Sequence, residues 1–398
     1  MYVIKKSSLI QWFIDNSGLV YGGLSVLLIY SINLNFIELA STEDVISLFK
    51  FLVIASWINV ISNLGKSSIM LIRQKNKQNL LIINTITKQI LVSIILFFIV
   101  FILSNVEYDI NIYAIFFYLV ILRIQDTISQ MAILRISTNT YFVLYHLVKS
   151  ILWFLIFLSL KNYFSPILSF MYSFMIASGI VSLNLFYMSS KSHSEAKKEV
   201  NDQGNRAHLA YWSNDVISVT IITVANLSIN YVDDTMIIAT FYIAMRLTSV
   251  FEQINTYFGN KSMNYQANNY TQILNHLKKT TFTTIIFNIL ALFFLTSIMI
   301  LSGYHATIMS ETDINLFILF VFLYLLSSPI KFISSVILIY FTTKNLYKTL
   351  FTIMIFSLIT LSFFLLAFYY TNHWIIIFLI LLTVPIMRIV FFIKYYDQ

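Results

Sequence analysis

Cysteine is absent from this 398-residue chain, and glycine, proline and charged residues are scarce. The lack of cysteine excludes disulfides, thiolate metal sites and cysteine nucleophiles. With only 8 Gly and 3 Pro, helices are expected to run long distances without interruption. Charged residues make up 11% of the chain, whereas a soluble globular domain carries about 25%. The composition therefore excludes an ordinary soluble domain.

Apolar residues dominate instead, at 59% of the chain and a mean hydropathy of +0.81. A bilayer core of about 30 Å needs roughly 20 apolar residues in a helix, and twelve segments meet that length. They are residues 9–32, 45–65, 80–104, 112–134, 141–161, 166–189, 209–231, 235–258, 280–302, 314–341, 347–370 and 374–394. The predicted fold is an all-α polytopic membrane protein.

The positions of lysine and arginine predict the orientation, because short cytoplasmic loops are enriched in both. With the N-terminus inside, and with residues at the ends of spans counted in the adjoining loops, 17 of the 25 basic residues are cytoplasmic and Lys161 alone is outside. The other seven lie within spans. Both termini are therefore predicted to be cytoplasmic. The basic start at Lys5 and Lys6 has no small-residue cleavage site after it, so the first run is read as a retained helix.

The two halves of the chain resemble each other. A polar segment at 191–208 separates a six-helix N-terminal half, 1–190, from a six-helix C-terminal half, 209–398. Trp12 and Asp15 open the first span, and Trp212 and Asp215 open the seventh. Six is an even number of crossings, so both halves start on the same side. The sequence thus predicts parallel repeats around a central cavity, an arrangement typical of alternating-access transporters.

Basic residues inside the spans are the first candidates for a binding site, because a cation near the bilayer centre costs roughly 2.5–3.5 kcal/mol on the mildest scale. Lys88 and Arg388 lie near the predicted cytoplasmic end, where snorkelling explains them. The deeper cations are interpreted as lining the cavity and binding an anion. They are Arg123, Arg246, Lys331, Lys149 and Lys50.

Four acidic residues also lie in the spans: Asp15, Asp215, Asp126 and Glu252. Asp126 follows Arg123 by three residues, on the same helix face, so a simple ion pair is the alternative to a cavity role for that arginine. Asp15 and Asp215 fit either a carboxylate near a helix N-terminus or a gate that couples to a cation. Glu252 and Asp126 are further candidates for the gate or the coupling ion.

Motifs for catalysis are lacking. The six histidines show no metal-ligand spacing, and the chain has neither a phosphate-binding glycine loop nor a serine elbow. The net charge of +8 is explained by membrane orientation, so a nucleic-acid partner is not expected. The chain is predicted not to be an enzyme and to hold no metal.

The twelve spans, the Trp12-Phe-Ile-Asp15 and Trp212-Ser-Asn214-Asp215 openings, the short outside loops and the buried cations resemble the multidrug/oligosaccharidyl-lipid/polysaccharide (MOP) exporter superfamily. Within it, the chain is similar to the Wzx-type O-antigen flippases. The resemblance implies that an undecaprenyl-diphosphate-linked oligosaccharide crosses the bacterial inner membrane for surface-polysaccharide synthesis. Membrane lipids, a polysaccharide polymerase and a chain-length regulator are the partners it implies. It implies no cofactor beyond a coupling ion, H⁺ or Na⁺.

Three other classes remain open at the level of sequence. A multidrug exporter of the same superfamily would take cationic drugs, for which buried acids should outnumber buried bases. A polysaccharide polymerase, a membrane glycosyltransferase, usually carries a large outside loop with arginines, which this chain does not have. A murein-precursor flippase typically has two more spans.

Overall fold

Helices form every regular element in the part of the chain that the structure, a computed structural model, describes. Its residues are 17–63, 79–104, 111–136, 140–141, 143–191, 205–264, 277–278, 281–286, 288–290, 293–294, 297, 314–343 and 346–396. The helices are α1 (Ser17–Leu39), α2 (Thr42–Ser62), α3 (Asn79–Ser104), α4 (Ile112–Arg135), α5 (Lys149–Leu160), α6 (Pro166–Lys191), α7 (Asn205–Ser228), α8 (Thr235–Asn264), α9 (Thr281–Leu290), α10 (Ile314–Thr343), α11 (Tyr347–Thr371) and α12 (Ile375–Tyr396).

Each of the twelve predicted spans overlaps one of these helices within the described residues, so the predicted all-α fold is confirmed. A π-helical turn, Val143–Val148, leads into α5. Seven of the helical segments are long and apolar enough to cross a membrane, and α1, α3, α8 and α9 contain shorter apolar stretches. The segment 192–204, which holds most of the predicted linker, lies outside the described residues.

Local signals fix where several helices begin and end. Ser41 and Asp44 form a reciprocal capping box that starts α2, and the Asn111 side chain accepts a hydrogen bond from the backbone N–H of Tyr113 at the start of α4. Asn372 ends α11 in the left-handed conformation, with φ of 49°. Large apolar side chains such as Phe98, Phe293 and Phe363 face outwards, as expected where helices contact lipid tails.

Helix packing follows the same scheme in both halves. Within the N-terminal half α4 and α5 pack on α6, and within the C-terminal half α10 and α11 pack on α12. Between the halves α1 packs on α8 and α7 packs on α2, which are equivalent pairs under a two-fold axis, while α2 and α8 meet each other. The repeat indicated by the sequence is therefore visible in the packing.

Candidate functional site

Arg123 is held in a polar network inside the N-terminal half. Its side chain is 1% exposed and forms a 3.0 Å ion pair with Asp126 one turn along α4. The guanidinium also donates to the carbonyl and side-chain oxygens of Asn59, at 2.8 and 3.1 Å, and to the hydroxyl of Thr127 at 2.9 Å. The ion pair weighed as the alternative from the sequence is therefore formed.

The same network continues into α3. Gln89 donates to the backbone carbonyl of Asn63 at 2.8 Å and accepts a hydrogen bond from Thr127 at 3.0 Å. The network thus joins α2, α3 and α4 through groups that satisfy one another, which a buried charge requires. Arg123 is a packing residue of the N-terminal half. No described contact joins it to the cation pair described next, and the shared cavity of the deep cations stays a prediction.

Arg246 belongs to the C-terminal half, and its side chain contacts the N-terminal half. It belongs to α8, eleven residues after that helix begins, about 17 Å along the axis. Its Nε donates a 3.1 Å hydrogen bond to Oδ1 of Asn33 on α1, and its guanidinium carbon lies 5.7 Å from the ring centre of Phe170 on α6. The packing of α8 on α1 brings this cation of the C-terminal half against the N-terminal half.

Lys149 lies at a similar depth, eleven residues before α5 ends. The π-helical turn precedes it directly, and such turns recur at functional sites. Its ammonium nitrogen lies 4.5 Å from the ring centre of Tyr145 and 5.5 Å from that of Phe174, both within cation–π range. Gln125 donates a 2.9 Å hydrogen bond to the Tyr145 hydroxyl and so fixes that ring.

Arg246 and Lys149 form a pair of like charges, referred to below as the cation pair. Arg246 is close enough to Lys149 to act on it electrostatically. Phe170 and Phe174, the rings they face, are one turn apart on α6, about 6 Å along its axis. No described carboxylate lies within 4.0 Å of either cation. Two deep cations that share a site without a described counter-ion favour an anionic ligand.

The other predicted cations belong to α10, α2 and α3. Lys331 of α10 lies with its ammonium nitrogen 5.7 Å from the ring centre of Tyr324, in its own half. Lys50 of α2 is half-buried, and within the described residues it makes no ion pair. Lys88 is exposed on α3. No described contact joins Lys50 to the cation pair.

Arg388 does not snorkel, and that interpretation is wrong. The side chain is 7% exposed, donates to the hydroxyl of Ser218 on α7 at 2.9 Å and to that of Ser334 on α10 at 3.3 Å, and is under the electrostatic influence of Asp215. Asp215 lies ten residues after α7 begins, too deep for a helix-terminus effect, which fades within the first turn. Arg388 and Asp215 instead join α12, α10 and α7.

The structure describes only part of the surroundings of the other predicted acids. Asp126 is the partner of Arg123. Glu252 belongs to α8, but its side chain is outside the described set, and Asp15 lies outside the described residues altogether. Groups of three or more metal-ligating side chains are not found in the described part of the chain.

Sequence reasoning missed the aromatic residues around the cations. In the N-terminal half Tyr118 on α4 is stacked on Phe174 with ring centres 5.0 Å apart, and Trp153 on α5 contacts both Phe170 and Phe174 edge-on. Tyr and Phe are so numerous, at 25 and 36, that the sequence does not single these out. The only signal is their position on α4, α5 and α6, which pack together.

Comparison with known proteins identifies the fold. No family model matches the chain, and no curated protein matches it. Among solved structures, an outward-facing multidrug resistance MATE family transporter of the MOP superfamily is 12% identical, with a TM-score of 0.61 over 94% of this chain and 92% of that one. The chain shares the fold of this transporter. A MOP superfamily transporter from Pyrococcus furiosus, described as having a binding pocket of reverse polarity, is 10% identical, with a TM-score of 0.56 over 95% and 93% of the two chains.

Proposed function

We propose that this protein is a bacterial inner-membrane flippase that moves an undecaprenyl-diphosphate-linked oligosaccharide from the cytoplasmic to the outer face. The observation that carries the proposal is the cation pair: Arg246 and Lys149 lie deep in the bundle, and no described carboxylate neutralises them. The MOP transporter fold supports transport as the activity. Its structural neighbours are transporters, so catalysis is not part of the proposal.

The chemistry of the pair suits a ligand with two linked anionic groups. An arginine binds a phosphate with parallel N–H donors, and a lysine binds it as a point charge. Charge-assisted hydrogen bonds of this kind are about twice as strong as neutral ones. The cations face successive turns of α6, so neighbouring phosphates of one diphosphate could each meet one cation. The lipid tail would remain among the bilayer chains, which accept it without desolvation cost.

The position of Arg246 also links binding to movement. This residue belongs to the C-terminal half, whereas Asn33, Phe170 and Lys149 belong to the N-terminal half. A diphosphate held by both cations would bridge the halves, and its affinity would depend on their separation. A ligand shifts a conformational equilibrium only through such a difference in affinity between the states. Alternating access by movement of one half against the other follows naturally.

A multidrug exporter is the second candidate, because the structural neighbour described as a multidrug resistance transporter shares the fold. Such a protein would present carboxylates to a cationic drug. The two span acids whose side chains are described already face arginines: Asp126 pairs with Arg123, and Asp215 lies near Arg388. This arrangement favours the anionic substrate.

The test is transport in proteoliposomes. A short-chain prenyl-diphosphate-linked sugar and a cationic dye are offered to the wild type and to the Arg246→Gln, Lys149→Gln and Lys88→Gln variants. We expect transport of the prenyl-diphosphate sugar by the wild type and by the Lys88→Gln control, and its loss in the other two. Dye transport without sugar transport would support the multidrug exporter and contradict the flippase.

The cellular setting is proposed from the same resemblance. The polysaccharide polymerase and the chain-length regulator would receive the product at the outer face, and a gradient of H⁺ or Na⁺ would drive the cycle. A deletion strain should accumulate undecaprenyl-linked repeat units inside the cell and recover when the wild-type chain is supplied.

A further inference from the structure

An aromatic triad occurs once in each half, in equivalent places. Phe51 of α2 contacts Tyr118 of α4 at 5.5 Å between ring centres, and Tyr118 stacks on Phe174 of α6 at 5.0 Å. In the C-terminal half Phe241 of α8 contacts Tyr324 of α10 at 5.6 Å, and Tyr324 contacts Phe378 of α12 at 5.1 Å. The helices correspond in order and the ring distances agree, so Tyr118 and Tyr324 are repeat-related.

The hydroxyl groups of the two tyrosines differ. The hydroxyl of Tyr324 donates to Oδ1 of Asn226 on α7 at 3.5 Å. Tyr118 is 5% exposed, and its hydroxyl makes no hydrogen bond to any described residue. A phenol hydroxyl that has no described protein partner can donate a hydrogen bond to an anionic ligand. The two halves have therefore kept the ring and changed the role of its oxygen.

Tyr118 also lies beside the cation pair. Its ring stacks on Phe174, the ring that Lys149 faces at 5.5 Å, and Arg246 is close enough to act electrostatically on its hydroxyl. Three groups able to donate to an anion thus meet around α6: an ammonium, a guanidinium and a phenol. In the C-terminal half the cation beside Tyr324 is Lys331, and the tyrosine hydroxyl there is already engaged by Asn226.

We propose that Tyr118 is a substrate-binding residue whose hydroxyl donates a hydrogen bond to the anion held by Arg246 and Lys149. The anion subsite is then one-sided: it lies against the N-terminal half, and Tyr324 takes no part in it. This inference rests on the proposed function, because it names a further residue of the same site. The Tyr118 hydroxyl is a neutral donor, so it forms a directed hydrogen bond to a phosphate oxygen. A counter-ion attracted by charge alone needs no such bond.

Binding of farnesyl diphosphate to the detergent-solubilised protein tests this inference by calorimetry. Tyr118→Phe keeps the ring and its stacking on Phe174, and Tyr324→Phe is the matched control in the other half. We expect Tyr118→Phe to weaken binding about tenfold, the loss of one hydrogen bond to a charged group, and Tyr324→Phe to bind as the wild type does. Arg246→Gln reports on the proposed function itself.

Thermal unfolding separates binding from packing. Tyr118→Phe should unfold at or above the wild-type temperature, because it removes a hydroxyl without a described partner, and Tyr324→Phe should unfold lower, because it breaks the bond to Asn226. Unchanged binding by Tyr118→Phe together with loss in Arg246→Gln overturns the role of Tyr118 and leaves the flippase proposal standing. Equal weakening by both tyrosine variants overturns the one-sided subsite. Absence of binding by the wild type contradicts the proposed function, and the inference with it.

Discussion

The Nε of Arg246 in the C-terminal half donates a 3.1 Å hydrogen bond to Oδ1 of Asn33 in the N-terminal half. The bond aims the guanidinium at the ring of Phe170, and it leaves both terminal nitrogens of Arg246 without a described protein partner. A guanidinium that makes one hydrogen bond to a neutral side chain can bind an anion with its remaining donors.

Replacement of Arg246 should therefore affect transport more than stability. Arg246→Gln is expected to lower the affinity for a prenyl diphosphate by roughly 10- to 150-fold, the equivalent of about 1.5–3 kcal/mol for lost bonds to a charged group. Arg246→Lys keeps the charge and should retain part of the affinity. Binding and transport by purified variants check this. Wild-type binding by Arg246→Gln would contradict the proposed site.

Replacement of Arg123 should affect stability more than transport. Arg123→Gln leaves Asp126 without its partner, and breaking a buried pair from one side costs about 3–5 kcal/mol. The unfolding temperature and yield should fall, while transport per folded molecule stays near the wild-type level. Thermal unfolding and a transport assay normalised to folded protein measure both. The Arg123→Gln, Asp126→Asn double variant should recover part of the loss, and a transport-specific defect would refute the packing role.

The group formed by Arg388 and Asp215 is expected to behave as a structural contact. Asp215→Asn removes the acid that acts on the buried guanidinium, so the unfolding temperature should fall. The dependence of transport on an ion gradient should persist. Transport measured with and without imposed H⁺ and Na⁺ gradients decides between this outcome and a coupling role. Normal stability with lost gradient dependence would establish Asp215 as the coupling residue.

Movement between the halves can be tested at the contact of α2 with α7. The Trp57 indole donates to the Thr220 hydroxyl at 2.9 Å, and the Trp212 indole donates to the Ile61 carbonyl at 3.2 Å. The chain has no native cysteine, so an introduced pair reacts alone. A reducible cross-linker between Trp57→Cys and Thr220→Cys should stop transport until it is cleaved.

A cross-link within one half provides the control for that experiment. Asn288 of α9 donates to the carbonyl of Leu325 on α10 at 3.1 Å, so cysteines at these two positions join helices of the same half. This cross-link should leave transport unaffected. Full transport with the cross-link between α2 and α7 intact would show that the halves need not separate there.

The orientation remains a prediction from the sequence and needs its own measurement. Reporter enzymes fused after Asn201 and after Asp397 should be active only when the reporter works in the cytoplasm, because 17 of the 18 loop cations fall on that side. An active alkaline phosphatase at either site would reverse the topology.

The number and positions of the helices could be predicted from the sequence, because bilayer thickness sets one length for every apolar run and the scarcity of Gly and Pro leaves those runs intact. The deep cations could be listed from the sequence for a related reason: a charged residue within an apolar run can be recognised without knowing the fold. Even the pairing of Arg123 with Asp126 was open to sequence reasoning, since residues three apart share a helix face.

The grouping of the remaining cations depended on tertiary structure. Arg246 and Asn33 are 213 residues apart, and only the packing of α8 on α1 joins them. Arg388 was predicted to snorkel to the cytoplasmic interface, whereas its guanidinium donates to Ser218 on α7 and Ser334 on α10. Tyr118 and Tyr324 are the same residue type, and the tertiary structure shows that only the Tyr324 hydroxyl donates to Asn226. Partners across helices are set by packing in three dimensions, which apolar periodicity and residue spacing do not encode.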